Sequence, residues 1–492
     1  MDIDNKKLPT IIQGGMGAGV SGWRLANAVA RTGQLGVISG TALNLIMARR
    51  LMAGDPGGHV RRALEHFPLR EMADRIRDKY FIEGGKAADK PFKAVPIPSF
   101  PLSREFTEMV VVANFVEVYL AKEGHDGQVG VNYLEKIQLP TLPSLYGAML
   151  AGIDFVLMGA GIPKSIPGML DLFAEGKPAQ LRIDVKDAKR GEEFYTEFDP
   201  RAFMGGDPPS LKRPQFLAII SSATLGAVLA KKSNGKVDGF VVEGPTAGGH
   251  NAPPRGQMQL NEIGEPIYTE RDDADIPALV ALKLPFWLAG SYAEPQRVAD
   301  ALASGAQGVQ VGTAFAYCEE SDLAPELKQS VLEASCLDGV QVFTDPVASP
   351  TGFPFKVVRL SGTLTEEDVY EERERICDLA YLRHAYQDAD GSVGWRCPAE
   401  PVADYARKGG DEEETIGRKC LCNALLANIG LPQVRKEIGV EKALVTSGLD
   451  AQNLSRFLQR KTLSYSAREI VEYLLSGLQI KPAVPEVAAV EV

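Results

Sequence analysis

Residues 284–315 read LPFWLAGSYAEPQRVADALASGAQGVQVGTAF, and the punctuation of this stretch decides the fold. Phe286–Ala289 is a short apolar run that stops at Gly290, the mark of a buried strand. Pro295 then opens a helical pattern that closes before Gly305. Proline is tolerated at a first helical turn, where the missing N–H has no partner to lose, and glycine lets the chain leave the helix. A second apolar run, Gly308–Val311, stops at Gly312. Strand, helix and strand in this order belong to a parallel sheet with helices packed on it.

The same pattern extends outward. Strands read at Thr10–Gln13, Leu35–Ser39, Val129–Tyr133, Phe155–Met158, Phe216–Ser221 and Gly239–Glu243, which with the two above makes eight. A helix over Ser21–Arg31 places Trp23, Ala26, Val29 and Ala30 on one face and stops at Gly33. Eight such units predict an α/β fold, a closed (β/α)8 TIM barrel. An open doubly wound sheet is the alternative, because strand count alone does not close a barrel. The barrel is assigned residues 1–362. It carries an insertion between strands two and three (about 46–127, with the proline-rich Pro96–Pro101) and an extra hairpin (about 180–209, LRIDV and EFYTEF around a charged turn). Residues 363–492 read as a C-terminal, mainly helical appendage, with helices over Thr363–His384 and Thr462–Leu478 and a loose tail, PAVPEVAAVEV.

The bulk properties narrow the function. A net charge of −11 over 492 residues disfavours a nucleic-acid or membrane-surface binder, since phosphate contact needs a basic surface. The N-terminal MDIDNKKLPTIIQGG lacks the apolar segment of a signal peptide, and no apolar run reaches the roughly 18 residues of a membrane span. Six cysteines in so long a chain do not make a disulfide framework, which predicts a cytoplasmic protein with reduced thiols. Cys377, Cys397, Cys420 and Cys422 all fall in the appendage, but no C-x-x-C pair occurs, so no metal is expected; Cys420-Leu421-Cys422 is the one closely spaced pair. No G-x-S-x-G, Walker loop or H-E-x-x-H is present.

A barrel keeps its chemistry in the loops after its strands. Strand one runs into Gly14-Gly15-Met16, where glycines let a flat ligand approach the backbone. Strands seven and eight run into Gly290-Ser291 and Gly312-Thr313, the loops that often hold phosphate in this architecture. Strand six runs into Gly244-Pro245-Thr246-Ala247-Gly248-Gly249-His250, which sets a histidine over the barrel mouth as a candidate acid–base group. The other four histidines, His59, His66, His125 and His384, sit in ordinary surroundings.

These segments resemble a known family. IIQGGMGAGVSGWRLANAVARTGQLGVISGTAL, VGVNYL, FVLMGAGIP, DGFVVEGPTAGGH, LPFWLAGSY and GAQGVQVGTAF are similar, in order, to nitronate monooxygenases, over most of residues 8–318. The same barrels include FMN-dependent enoyl-acyl-carrier-protein reductases, and this chain is similar to a long-chain subgroup. The resemblance implies FMN as cofactor. It places Gly14, Gly15, Met16, Asn132, Ala247, Gly248 and Gly249 beside the flavin, and His250 over the substrate. It places Gly290, Ser291, Gln310, Gly312 and Thr313 at the phosphate. It implies oxidation of alkyl nitronates with O2 to a carbonyl compound and nitrite. NAD(P)H-dependent reduction of an enoyl thioester is the alternative, and a flavin-binding partner subunit of a larger assembly is a third reading. The partners implied are a small-molecule substrate and O2 or NAD(P)H, and a homo-oligomer is compatible. Two departures stand out. Gly290-Ser291-Tyr292 replaces the usual Gly-Gly-Ile, and NAPPRG after His250 is unlike the short glycine-rich continuation of the family.

Overall fold

The computed structural model describes residues 7–436, 438–458 and 462–478. Its centre is a closed barrel of eight parallel strands. They are β1 (Ile11–Gln13), β2 (Leu35–Ser39), β3 (Val129–Leu134), β4 (Phe155–Gly159), β5 (Gln215–Ile220), β6 (Gly239–Glu243), β7 (Phe286–Ala289) and β8 (Gly308–Val311). Each strand pairs with the next in the chain, and β8 closes on β1 through Ile11↔Val309 and Gln13↔Val311. All eight strands stand where the apolar runs put them, and closure excludes the open sheet.

Every barrel strand is apolar on both faces because it is covered twice. The outer face packs on helices such as Trp23–Ala30, which buries Leu25, Ala26 and Val29. The inner face makes a separate cluster of Ile12, Leu35, Val37, Phe155, Leu157, Leu217, Val241 and Trp287, all fully buried. Trp287 is the largest of these, and its indole N–H donates to the carbonyl of Pro9 at 2.9 Å. The barrel is therefore filled by side chains at its centre, and any ligand must sit at one end.

Between β2 and β3 the chain forms the helices Leu43–Met52, His59–Leu64, Arg70–Tyr80 and Arg104–Lys122. The long Arg104–Lys122 helix packs against both Trp23–Ala30 and Thr141–Leu150, so it takes the place of a barrel helix. Between β4 and β5, Ala179–Ile183 pairs antiparallel with Phe194–Phe198.

After residue 362 the regular elements are short. The helix expected over Thr363–His384 is reduced to Glu367–Glu372, and His384 begins a strand, His384–Gln387, that pairs with Val393–Arg396. Tertiary contacts overrule the helical spacing here: Arg373 is bonded to Glu441, Arg375 to the carbonyl of Thr415, and Ala380 turns the chain at φ +64°. The expected C-terminal helix forms over Ala467–Ser476, with Ser466 and Glu469 making a reciprocal cap. The expected tail lies outside the described residues. No helix among the described residues is long and apolar enough to cross a membrane.

The inner layer predicts a large cost for removing its biggest member. Trp287→Ala is expected to destabilise the protein by about 3–5 kcal/mol, as for other buried aromatic truncations, measured by urea unfolding. A loss below about 1 kcal/mol would mean that the barrel interior can collapse around the gap.

Candidate active site

Strand side chains alternate inward and outward, so each inward core residue has an inward successor two positions on. Stepping from Ile12, Val37, Gly130, Leu157, Leu217, Val241, Trp287 and Gly308 leads to Gly14, Ser39, Asn132, Gly159, Ile219, Glu243, Ala289 and Gln310. All eight line one cavity at the C-terminal mouth of the barrel. The layer below is wholly apolar or glycine, whereas this one carries Ser39, Asn132, Glu243 and Gln310. The change from packing to chemistry therefore occurs within one layer.

The loops complete the cavity. Gly15, Met16, Ala247, Gly248, Gly249, His250, Gly290, Ser291, Gly312 and Thr313 all line it, so the structure brings every sequence-derived site residue to one place. Three of its lining residues that are not glycine hold a left-handed backbone: Ala42 at φ +57°, Ala160 at φ +53° and Ser291 at φ +57°. Such conformations cost about 1 kcal/mol or more each and persist where the surroundings impose them, often around bound ligands. At Ser291 the conformation is one that glycine adopts without this cost.

The residues fit a flavin, which the resemblance implies. Gly15 lies so close to Asn132 that a Cβ would stand 2.5 Å from the Asn132 Cβ. Gln310 covers Gly14, with 3.2 Å between its Cδ and a Cβ built there, and its Oε1 is buried without a hydrogen-bond partner. An unpartnered buried acceptor facing a cavity calls for a donor from whatever fills it. Backbone laid bare by glycine on one side and amide side chains on the other suit a flat heteroaromatic ring with polar edges.

His250 is on the short strand Gly249–His250, which pairs antiparallel with Phe355–Val358. Its Nε2 is 2.7 Å from the Ser349 hydroxyl, which in turn bonds Thr351 Oγ1 at 2.8 Å. The ring lies edge-on to Phe355 with centroids 4.8 Å apart. Burial lowers its pKa to about 4, so the imidazole is neutral at neutral pH. Glu243 shows the opposite shift: burial raises its carboxyl to about 7. Sequence reasoning missed Glu243, which read only as the last residue of a strand.

The mouth is also walled from the far end of the chain. Thr446, Ser447, Gly448 and Asp450 line the cavity, as do Tyr381 and Cys422. Thr446 bridges Val357, and the Gly448 N–H donates to Thr313 Oγ1 at 3.0 Å. Gly248 meets this strap so closely that a Cβ would stand 2.6 Å from the Gly448 nitrogen. Its lack of a side chain thus serves the strap as well as the cavity. The pair Cys420 and Cys422, with Cys377 and Cys397, lines a small adjoining cavity. Among the described residues no three His, Cys, Asp or Glu are placed to hold a metal ion.

The family model for nitronate monooxygenase matches residues 198–380. A protein of Bacillus subtilis described as a probable nitronate monooxygenase is 35% identical over 132 residues, 26% of this chain and 35% of that protein. A 5-hydroxy-7a-methyl-1-oxo-octahydro-1H-indene-4-carboxyl-CoA dehydrogenase of Mycobacterium tuberculosis is 29% identical over 229 residues, 43% of this chain and 60% of that protein. The chain spans less than two thirds of the length of the curated relatives it matches. A solved nitroalkane oxidase from Streptomyces ansochromogenes superposes with a TM-score of 0.43 at 13% identity, covering 96% of this chain and 95% of that one. The chain is similar to nitronate monooxygenases.

Two outcomes are expected from this geometry. Gly15→Ala forces a Cβ against Asn132, and overpacking of about 1–3 kcal/mol should weaken flavin binding about tenfold or more, measured by fluorescence titration. Unchanged affinity would show that Gly15 is only a turn. The second concerns pH. Burial holds His384, beside Arg396, at about 4, like His250. A histidine whose folded pKa is depressed stabilises the fold fully above its unfolded value near 6.5, and that contribution is lost as pH falls toward 4. The urea midpoint of the wild type should therefore fall more steeply between pH 6.5 and 4.5 than that of His384→Asn. Parallel curves would contradict the assignment.

Proposed function

We propose that this chain is an FMN-dependent oxidoreductase, and that its reaction is the oxidation of alkyl nitronates with O2 to a carbonyl compound and nitrite. One observation carries the reading: the inward residues at all eight strand ends and the loops after β7 and β8 converge on a single cavity. The match of residues 198–380 to nitronate monooxygenases supports the choice of chemistry.

In this reading Gly14, Gly15, Met16, Asn132, Ala247, Gly248, Gly249 and Gln310 hold the isoalloxazine ring, and Gly290, Ser291, Gly312 and Thr313 hold the phosphate. Backbone N–H groups and hydroxyls can neutralise a phosphate without a fixed lysine. When bound, FMN supplies the redox chemistry, accepting electrons from the substrate and passing them to oxygen. The chain's own residues bind, orient and exclude water. His250, neutral and fixed by Ser349, presents its imidazole to the substrate as a hydrogen-bonding group. The inner core below seals the site from the far end of the barrel. A small-molecule substrate, a cytoplasmic setting and a homo-oligomer complete the proposal.

One observation favours a second reading, NAD(P)H-dependent reduction of an enoyl thioester. The main cavity shares Ile137, Tyr381 and Leu382 with a neighbouring one, so the two together leave room for an extended substrate; its charged walls are mixed, with Lys136 paired to Asp184 and Arg182 to Glu193. The CoA-ester dehydrogenase relative points the same way.

Purified protein is expected to be yellow and to release FMN on denaturation. Under anaerobic stopped flow, bleaching of the flavin by a nitronate without NAD(P)H supports the first reading. Rapid bleaching by NAD(P)H, with reoxidation by an enoyl thioester, moves the function to the second. A colourless protein that fails to take up FMN would end both.

A further inference from the structure

We infer that Glu243 is the residue that exchanges a proton with the substrate carbon, and that His250 orients the substrate beside it. The inference deepens the oxidoreductase reading and rests on it.

The position of Glu243 comes from the barrel itself. Val241 belongs to the inner apolar layer, so Glu243, two residues on, points inward at the open end. It lines the flavin cavity and also a second chamber, so it stands on the wall between them. Among the described residues, only Ala160, Ile219 and His250 share that placement. The second chamber is lined by Asn251, Pro253 and Arg255 of the unusual NAPPRG segment, together with Tyr268 and Asp272. A substrate entering through this chamber meets Glu243 and His250 at the wall.

Chemistry separates the two. His250 already has its Nε2 engaged with Ser349, and its burial makes the charged imidazolium unfavourable at neutral pH. Glu243 has no charge or hydrogen bond acting on its carboxyl; burial alone raises its pKa to about 7. A base is most effective when its pKa lies near the operating pH, which suits Glu243 and not a histidine held near 4. The charged groups lining the two cavities are otherwise engaged. Arg255 donates to the Ser221 carbonyl at 3.2 Å, Asp272 accepts the Arg255 N–H at 2.7 Å, and Asp450 pairs with Arg456 at 2.7 Å. None of them neutralises Glu243, and a desolvated carboxyl without a charge partner on a cavity wall is the arrangement that acid–base sites use.

The step balances without an oxidant. The Glu243 carboxylate takes the α-proton of the parent nitroalkane, which supplies the nitronate that the proposed oxidation consumes. The C–H electron pair moves onto the nitro group, giving a nitronate and a neutral carboxylic acid, which returns the proton to water. In the reductive reading the same acid delivers its proton to the substrate carbon.

The test uses the flavin-loaded protein, Glu243→Gln and His250→Asn. Exchange of the α-hydrogens of nitroethane is followed by proton NMR in D2O without oxygen, so no turnover is needed. The wild type should accelerate exchange, with a rate rising through about pH 7. Glu243→Gln should keep its flavin and lose about 10²-fold or more of the saturating exchange rate, whereas His250→Asn, which loses an orienting group, should raise the nitroethane concentration needed for half the maximal rate and keep the rise through about pH 7. Equal exchange by wild type and Glu243→Gln, or loss confined to His250→Asn, overturns the inference. If the wild type does not exchange nitroethane at all, proton abstraction from a nitroalkane falls, the nitronate reading is decided by the stopped-flow bleaching with preformed nitronate, and Glu243 is judged by the absorbance of the bound flavin against pH. A transition near pH 7 in wild type and His250→Asn but absent from Glu243→Gln upholds the assignment. A transition that survives in Glu243→Gln, or is missing from the wild type, overturns it.

Discussion

The two-residue alternation of a strand is the constraint on which the rest of this molecule depends. In a closed parallel barrel it divides every strand into outward residues, which meet helices, and inward residues, which meet one another. Here the inward positions are filled by Val37, Phe155, Leu157, Leu217, Val241 and Trp287 until the strands end. One step later the same alternation delivers Asn132, Glu243 and Gln310, with Gly14 and Gly159 leaving space between them. The apolar plug does two things for the polar layer above it. It fixes the strand ends, and so the side chains on them, and it removes water from beneath Glu243, whose carboxyl burial shifts upward, while His250, buried in the loop above against Phe355, is shifted down.

The mouth is not built by the barrel alone. Residues 446–450 come from far along the chain and lie across the loops after β6 and β8. Close backbone approach at Gly248 and Gly448 makes this possible, since a Cβ at either would collide with the other segment. Thr313 shows the consequence: its hydroxyl accepts from the Gly448 N–H and keeps its own proton to donate to an anion. The C-terminal region thus acts on the same loops that the phosphate reading invokes, and a change in its packing would be felt at the cofactor.

Much of this was legible in the residues. The eight strands announce themselves because buried parallel strands are uninterrupted apolar runs ended by glycine, and the loop residues then fall where barrel architecture puts them. Glu243 was not legible for the same reason. A strand that is apolar on both faces gives no clue to which residues point inward, so its polar end could face either way until the layer below was seen. Thr363–His384 misled in the opposite sense. Ile376, Leu379 and Leu382 have helical spacing, yet the chain leaves the helix after Glu372 because Arg373, Arg375 and Tyr381 reach distant partners, Glu441, Thr415 and Asn44. The strap could not be read at all, because its meaning lies wholly in the loops it packs against.

In the proposed function the mouth cavity holds a flavin by both its ring and its phosphate, with the loops after β7 and β8 assigned to the latter. The most direct measurement compares FMN with riboflavin, which lacks only the phosphate, by fluorescence titration of flavin-free protein. FMN is expected to bind at least about 100-fold more tightly, a difference of about 2.8 kcal/mol at about 1.4 kcal/mol per tenfold. Equal affinity for the two, or tighter binding of riboflavin, would contradict it.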